Sequence, residues 1–155
     1  MVLRKPNFLL DENLNRLAKW LRLLGYDAAV YKSISFHNAI RLANREHRIF
    51  LTRSRKLATS NQKFSRRLIM SVDHRDQLKE LNDIVTVKEE YLFSRCILCN
   101  KKLFDISKEK IKELIPEFVY ESLDEFKLCR KCGRIFWKGS HYKAIKKELK
   151  YLLTV

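Results

Sequence analysis

Glycine is scarce in this chain, with only Gly25, Gly133 and Gly139. Phosphate-cradling loops of the GxxxxGKS/T or GxGxxG kind need several close glycines, so P-loop NTPases and Rossmann dinucleotide enzymes are excluded. Long apolar runs are missing too. The longest stretch without a charged side chain, Ser33 to Ile40, falls far short of the ~18 residues a membrane span requires. The opening Met1-Val2-Leu3-Arg4-Lys5-Pro6 has no signal-peptide shape. A soluble, cytoplasmic protein without a membrane partner is expected. Acid is the third shortage: 18 Asp+Glu stand against 33 Lys+Arg in 155 residues, a formal net charge of +15. Hydrophobic residues make up 46%, enough for a packed core, which excludes wholesale disorder.

The charge is unevenly spread. Residues 1–94 carry 18 basic and 10 acidic groups, a net of +8, and residues 95–155 carry 15 and 8, a net of +7. Nine basic groups crowd into residues 41–67: Arg41, Arg45, Arg48, Arg53, Arg55, Lys56, Lys63, Arg66 and Arg67, with Glu46 the one acid. A local excess of this size attracts polyanions. Arginine dominates, and its forked donors suit phosphate. A solvated helix face is the plain alternative, but the pattern favours nucleic acid over it and over a lipid surface.

All four cysteines lie in the second part, as Cys96-Ile-Leu-Cys99 and Cys129-Arg-Lys-Cys132. A two-residue gap lets both sulfurs of a pair point into one tight knuckle, and two knuckles supply the four tetrahedral thiolates that Zn²⁺ prefers. Arg95, Arg130, Lys131 and Arg134 flank the pairs and favour thiolate, while Gly133 permits the backbone turn a knuckle needs. The insert from Asn100 to Leu128 exceeds the spacing of simple ribbons, so it is expected to be structured. Two disulfides are the competing interpretation, disfavoured without a secretory signal. Chelation is expected to unfold the C-terminal half and leave the N-terminal sheet largely intact.

Hydrophobic periodicity predicts strands at Asn7–Leu10, Ala28–Tyr31, Ile49–Leu51, Leu68–Val72 and Ile84–Val87. Helices are expected from Leu14 to Leu24, with Asn13 as N-cap and Gly25 as stop, over Phe36–Asn44 and over Asp76–Leu81. In the second part, Ser107–Ile115 reads as a lysine-rich helix closed by Pro116. Ile135-Phe136-Trp137 reads as a strand, and Ser140 caps a last helix with Ile145, Leu149 and Leu152 inward. The alternation implies an α/β fold, a mainly parallel sheet with flanking helices, plus a small C-terminal zinc-ribbon module. The expected division is an α/β domain over 1–90 and a zinc ribbon with basic helix over 91–155. In such sheets the working site lies beyond the carboxyl ends of the strands. Asp11, Asp27, Thr52-Arg53-Ser54 and Asp73 are the residues to place there.

The run Phe8-Leu9-Leu10-Asp11-Glu12-Asn13-Leu14, continued by Leu17-Ala18-Lys19-Trp20-Leu21-Arg22-Leu23-Leu24-Gly25-Tyr26-Asp27, resembles the opening of PIN-like RNases. Arg48-Ile49-Phe50-Leu51-Thr52-Arg53 falls where that group has its second signature. Ser94-Arg95-Cys96, Cys99-Asn100, Cys129-Arg130-Lys131-Cys132-Gly133 and Trp137-Lys138-Gly139-Ser140-His141 resemble the matching zinc ribbon. Together they resemble the Mut-seven C-terminal RNase family, a PIN-like domain followed by a zinc ribbon, over nearly the whole chain. The resemblance implies a nuclease whose clustered carboxylates hold Mg²⁺ or Mn²⁺. Asp11 matches the first acid, with Glu12, Asp27 and Asp73 as possible helpers. The threonine-arginine-aspartate signature ends here in Ser54, and the acid that relatives often carry at the second helix falls near Phe36-His37.

Substituting those acids removes negative charge while the arginines stay. The preferred expectation is therefore a zinc-containing RNA-binding protein on a degenerate PIN-like fold, a component of or factor on the ribosome or another ribonucleoprotein, with rRNA as partner. An active divalent-metal-dependent endoribonuclease in RNA processing or decay is the alternative, and only that alternative requires Mg²⁺ or Mn²⁺. A protein–protein adaptor built on the ribbon is a third class. Asp11 has a plain structural alternative, as a cap at a strand-to-helix junction. The expected RNA contacts are Arg41, Arg45, Arg48, Arg53, Arg55, Lys56, Arg66, Arg67, Trp137, Lys138, His141, Lys143 and Lys147, and the zinc ligands are Cys96, Cys99, Cys129 and Cys132. His37, His47 and His74 lack ligand spacing, and Trp20, on a leucine-patterned helix, reads as core.

Overall fold

The structure, a computed structural model, describes residues 5–32 and 34–153; the opening Met1–Arg4 lies outside them. Four short strands, β1 (Asn7–Leu10), β2 (Ala28–Val30), β3 (Arg48–Thr52) and β4 (Arg66–Leu68), pair in parallel in the order β2-β1-β3-β4. Side chains alternate across a strand, and β1 uses both faces. Phe8 and Leu10 enter one core with α1 (Asn15–Leu23) and α4 (His74–Lys79), while Leu9 enters a second with α2 (Phe36–Arg45). Both faces are covered, as a parallel sheet requires.

The chain reaches α1 through a 3-10 turn, Glu12–Leu14, so Asp11 rather than Asn13 stands at its entrance. Leu17, Ala18 and Leu21 form the buried stripe of α1. The helix ends at Gly25, whose φ of +77° disfavours any side chain. A Cβ there would also sit 2.3 Å from the Tyr91 carbonyl oxygen. Ser35 caps α2 by accepting from the Asn38 amide.

Two predicted strands are corrected. The fourth runs over Arg66–Leu68 instead of Leu68–Val72. Beyond Ile69, the amides of Met70 and Ser71 donate to the Glu80 carboxylate at 2.9 and 2.7 Å, which draws the chain off the sheet. Ile84–Val87 is no strand. Its Ile84 and Val85 amides close turns onto Leu81, Thr86 donates to the Tyr26 hydroxyl, and Val85 alone is buried.

The second sheet is antiparallel, with strands β5 (Phe104–Ile106), β6 (Phe126–Leu128) and β7 (Ile135–Trp137) in that order. The insert between β5 and β6 is structured. Its predicted lysine-rich helix is a 3-10 segment, Lys108–Leu114, followed by a short helix α5 (Glu117–Ser122) that the periodicity did not mark. Ile111, Ile115, Val119 and Phe126 form a small core of their own. The last helix, α6 (Ser140–Leu153), leaves the ribbon and buries Tyr142, Leu149 and Leu152 in the same core as Leu14, Leu17 and Leu21. No helix among the described residues is long and apolar enough to cross a membrane.

Candidate nucleic-acid interface and metal centre

The strand order places β1 between β2 and β3, so the connections leaving β1 towards β2 and β3 towards β4 diverge at the carboxyl ends of these two strands. Ligands of open α/β sheets bind at such a switch point. The register decides what stands there. Leu10 is level with Val30 on one side and Leu51 on the other, so the next row is Tyr31, Asp11 and Thr52. The Tyr31 hydroxyl donates to one oxygen of the Asp11 carboxylate and the buried Thr52 hydroxyl to the other. Thr52 Oγ1 accepts in turn from the Ser54 amide at 3.0 Å. Burial first, and then the hydrogen bond to Asp11, push the Tyr31 phenol well up, so it remains a donor at neutral pH.

Asp11 belongs to no group of three or more potential metal ligands: among the described residues only the cysteine cluster forms one. Ser54, where the signature has aspartate, caps the short helix α3 (Arg55–Ala58) by accepting from the Leu57 amide. Phe36 packs edge-on against Phe50 and Phe64, each 6.2 Å away. The three proposed helpers go elsewhere. Glu12 is exposed and lies 3.9 Å from Lys32. Asp73 caps α4, accepting from the Arg75 amide. Asp27 precedes β2 and so lies at the opposite end of the sheet from Asp11. These residues do not fit the carboxylate-held Mg²⁺ or Mn²⁺ that the family resemblance implies.

Asp27 is the hub of a half-buried polar network. Its carboxylate accepts from Arg48 at 2.6 Å and from Asn100 Nδ2 at 2.7 Å, with Arg95 at 3.7 Å. Burial opposes its ionisation, but the hydrogen bonds from Arg48 and Asn100 and the two arginine charges outweigh that and hold its pKa below the usual carboxylate value.

The basic segment divides in the same way. Arg48 is spent on Asp27 and Glu46, and Arg67 pairs with Asp83. Arg66 donates to the Ser60 and Gln62 carbonyls and lies over the Phe64 ring. Partners within the fold thus engage donors of these three expected RNA contacts. Arg45 keeps a 3.6 Å contact with Glu46 but is largely exposed. Arg53 is exposed and attracted by Glu80. Arg41, Arg55, Lys56 and Lys63 are exposed, with no side-chain hydrogen bond or ion pair among the described residues. On α6, Lys143 and Lys147 are likewise exposed without such a partner, as is His141.

The four cysteines converge, their sulfurs all lying within 4.8 Å of one another. Cys96 Sγ and Cys132 Sγ are 3.8 Å apart, close to the edge of a tetrahedron with metal–sulfur bonds of about 2.3 Å. The two knuckles repeat one hydrogen-bond pattern. The Cys96 amide donates to Lys101 and the Cys129 amide to Arg134; the Asn100 and Gly133 amides return to the Cys96 and Cys129 carbonyls. The pattern needs a positive φ at the residue after the second cysteine, and Asn100 (+59°) and Gly133 (+73°) supply it. Burial and neighbouring sulfurs push the Cys99 thiol up to about 12. Burial also opposes ionisation of Cys129, but amide donation from Cys132 and Lys131 brings it down to about 7. A divalent ion entering this set displaces the remaining thiol protons. The donor set fits a metal such as zinc.

The model of the Mut7-C RNAse domain matches residues 6–149. The chain belongs to that family. No curated protein and no solved structure matches it. Membership in the Mut7-C family gives the chain an RNA-related function, and its cysteine cluster a capacity for metal. Two residues that join the sheets have no role assigned from the sequence. Arg22, buried on α1, donates to the Ile97 and Leu98 carbonyls inside the first knuckle at 2.8 and 3.3 Å. Asn100 accepts from the Ala28 amide at 3.0 Å while donating to Asp27. An arginine on a leucine-patterned helix and a non-glycine at a knuckle's turn position were the available signals.

Proposed function

We propose that this Mut7-C protein binds RNA rather than cleaving it, with zinc in its thiolate centre. In this proposal it works in the cytoplasm as a component of, or factor on, the ribosome or another ribonucleoprotein, with rRNA as its partner. Residues 1–90 form the PIN-like part and residues 91–155 the zinc ribbon, with α6 returning to pack on the first.

One observation carries the reading: Asp11 stands at the switch point with both oxygens held by protein hydroxyls and belongs to no group of three potential metal ligands among the described residues. A dication at a phosphodiester needs local negative charge, and the residues that would add it are a capping serine and a packed phenylalanine. The unpaired cations Arg41, Arg55, Lys56 and Lys63 remain, and cations without carboxylates bind phosphate without activating water.

Sedimentation of cell extract at low and high salt tests the proposal. The protein should travel with ribosomal or other ribonucleoprotein particles at low salt and leave them as salt rises. A protein found free at every ionic strength would contradict it. The second reading, an endoribonuclease of RNA processing or decay, is favoured by the retention of Asp11 at the switch point.

A further inference from the structure

The motif Trp137-Lys138-Gly139-Ser140-His141 takes no part in the switch point or in the thiolate cluster. All five of its residues line one cleft of about 940 Å³, which runs between α1, α5 and the start of α6. Trp20 on α1 and Phe118 on α5 line it as well. Phe118 is 70% exposed, a large aromatic ring left in water at the mouth of the cleft. Trp137 is half-buried, and its indole is seated by Gly139: a Cβ there would approach the ring at 3.2 Å. Both tryptophans of the chain therefore border the same space.

The charge at the rim points to the occupant. Lys19 and Lys143 line the cleft without a side-chain partner among the described residues. Lys138 has a 3.4 Å contact with the exposed Glu125, weak enough to exchange for phosphate, and lies 5.9 Å from the Tyr142 ring centre. The one acid of the lining, Glu148, is held by Arg75 at 2.5 Å. Aromatic walls with a cationic rim suit nucleobases, which stack on any aromatic face while phosphates meet the cations. A basic peptide would meet like charge, and a duplex would keep its bases inside its own stack. The neighbouring groove is lined by five acids, Glu89, Glu90, Asp105, Asp124 and Glu125, and so suits a polyanion less well.

Resting on the RNA-binding reading, we infer that this cleft is the seat of single-stranded RNA. Unpaired bases enter against Trp137 and Phe118, and Lys19, Lys138 and Lys143 hold the flanking phosphates.

The test uses the full metal-loaded chain, a single-stranded oligouridylate of about ten nucleotides, and a hairpin with the same number of phosphates. The oligouridylate should quench the tryptophan emission, and most of the quenching should disappear in Trp137→Phe. Phe118→Ala, at a position already in solvent, should weaken oligouridylate binding roughly tenfold without changing the melting temperature. The hairpin should bind with little quenching. Undiminished oligouridylate binding without quenching, and indifferent to Phe118→Ala, would overturn the cleft assignment while leaving RNA binding intact elsewhere. If Phe118→Ala instead releases the protein from ribonucleoprotein particles with oligouridylate affinity unchanged, the cleft holds a protein segment and the assignment fails. Failure of both probes to bind at low salt would overturn the RNA-binding reading itself.

Discussion

The Asp27 carboxylate accepts a hydrogen bond from Asn100 Nδ2 at 2.7 Å, joining the start of β2 to the turn of the first cysteine knuckle. Arg48 and Arg95 complete the junction. Asp27 thus ties the two sheets together, and its location explains why an acid of the opening signature lies far from Asp11.

Asp27→Asn should destabilise the protein by about 2 kcal/mol at neutral pH, because in a half-buried site Arg95 loses its charge partner and Arg48 one of its two. The folded pKa of Asp27 is depressed. Its contribution is therefore present above the unfolded carboxylate value and lost as pH falls through the lower, folded one. Denaturation by urea at several pH values should show the gap between variant and wild type closing in the acid range below about 4. A gap that is constant with pH would assign the loss to packing instead.

Gly25→Ala should cost well over ~1 kcal/mol. The positive φ is one cause, and the second is the Tyr91 carbonyl, which a Cβ would meet at 2.3 Å. Thermal melts of the two proteins measure the difference. A melting temperature equal to wild type would mean that the 91–94 segment is free to shift away.

Removal of the metal should loosen both sheets. From the sequence, chelation is expected to unfold the C-terminal half and leave the N-terminal sheet largely intact; the contacts argue for a wider effect, because Arg22 of α1 donates into the first knuckle and Leu149 and Leu152 of α6 join the core of the first sheet. Structural zinc supplies ~10–16 kcal/mol of apparent binding energy, so its loss should reach α1 through these contacts. Hydrogen exchange before and after chelation is the measurement, with the amides of Leu17 and Leu21 expected to lose protection. Unchanged protection there would show that the sheets fold independently.

Substitution of the basic residues should separate into two groups. Arg41→Ala, Arg55→Ala and Lys56→Ala should each weaken RNA binding and lower the slope of log affinity against log salt by about one. Arg67→Ala should leave that slope unchanged and lower stability, because its guanidinium belongs to Asp83. Fluorescence anisotropy at several salt concentrations distinguishes them. A drop in slope for Arg67→Ala would show that it reaches phosphate after all.

Much of this fold is legible in the sequence because local signals agree with tertiary ones. The β1 run Asn7–Leu10 is apolar because both faces are covered, and the leucines of α1 fall at helical spacing. The cysteine knuckles are equally plain, since the metal demands four sulfurs in a fixed local pattern. Several of the failures share one physical origin, long-range pairing of polar groups. Glu80, ten positions beyond Met70, takes the amides that would have continued β4. Arg48 reaches Asp27 across 21 positions and Arg67 reaches Asp83 across 16, so a run of nine cations overstated the unpaired charge on the surface. Asn100 looked like a motif residue of the ribbon alone, and only the folded chain shows its contact with Asp27.

Incubation of single-stranded RNA with the purified protein and Mn²⁺, beside the Asp11→Asn variant, is the decisive measurement. Salt-sensitive binding without cleavage, equal in the two proteins, is the expected result. Cleavage by the wild type that disappears in Asp11→Asn would contradict it and restore the nuclease.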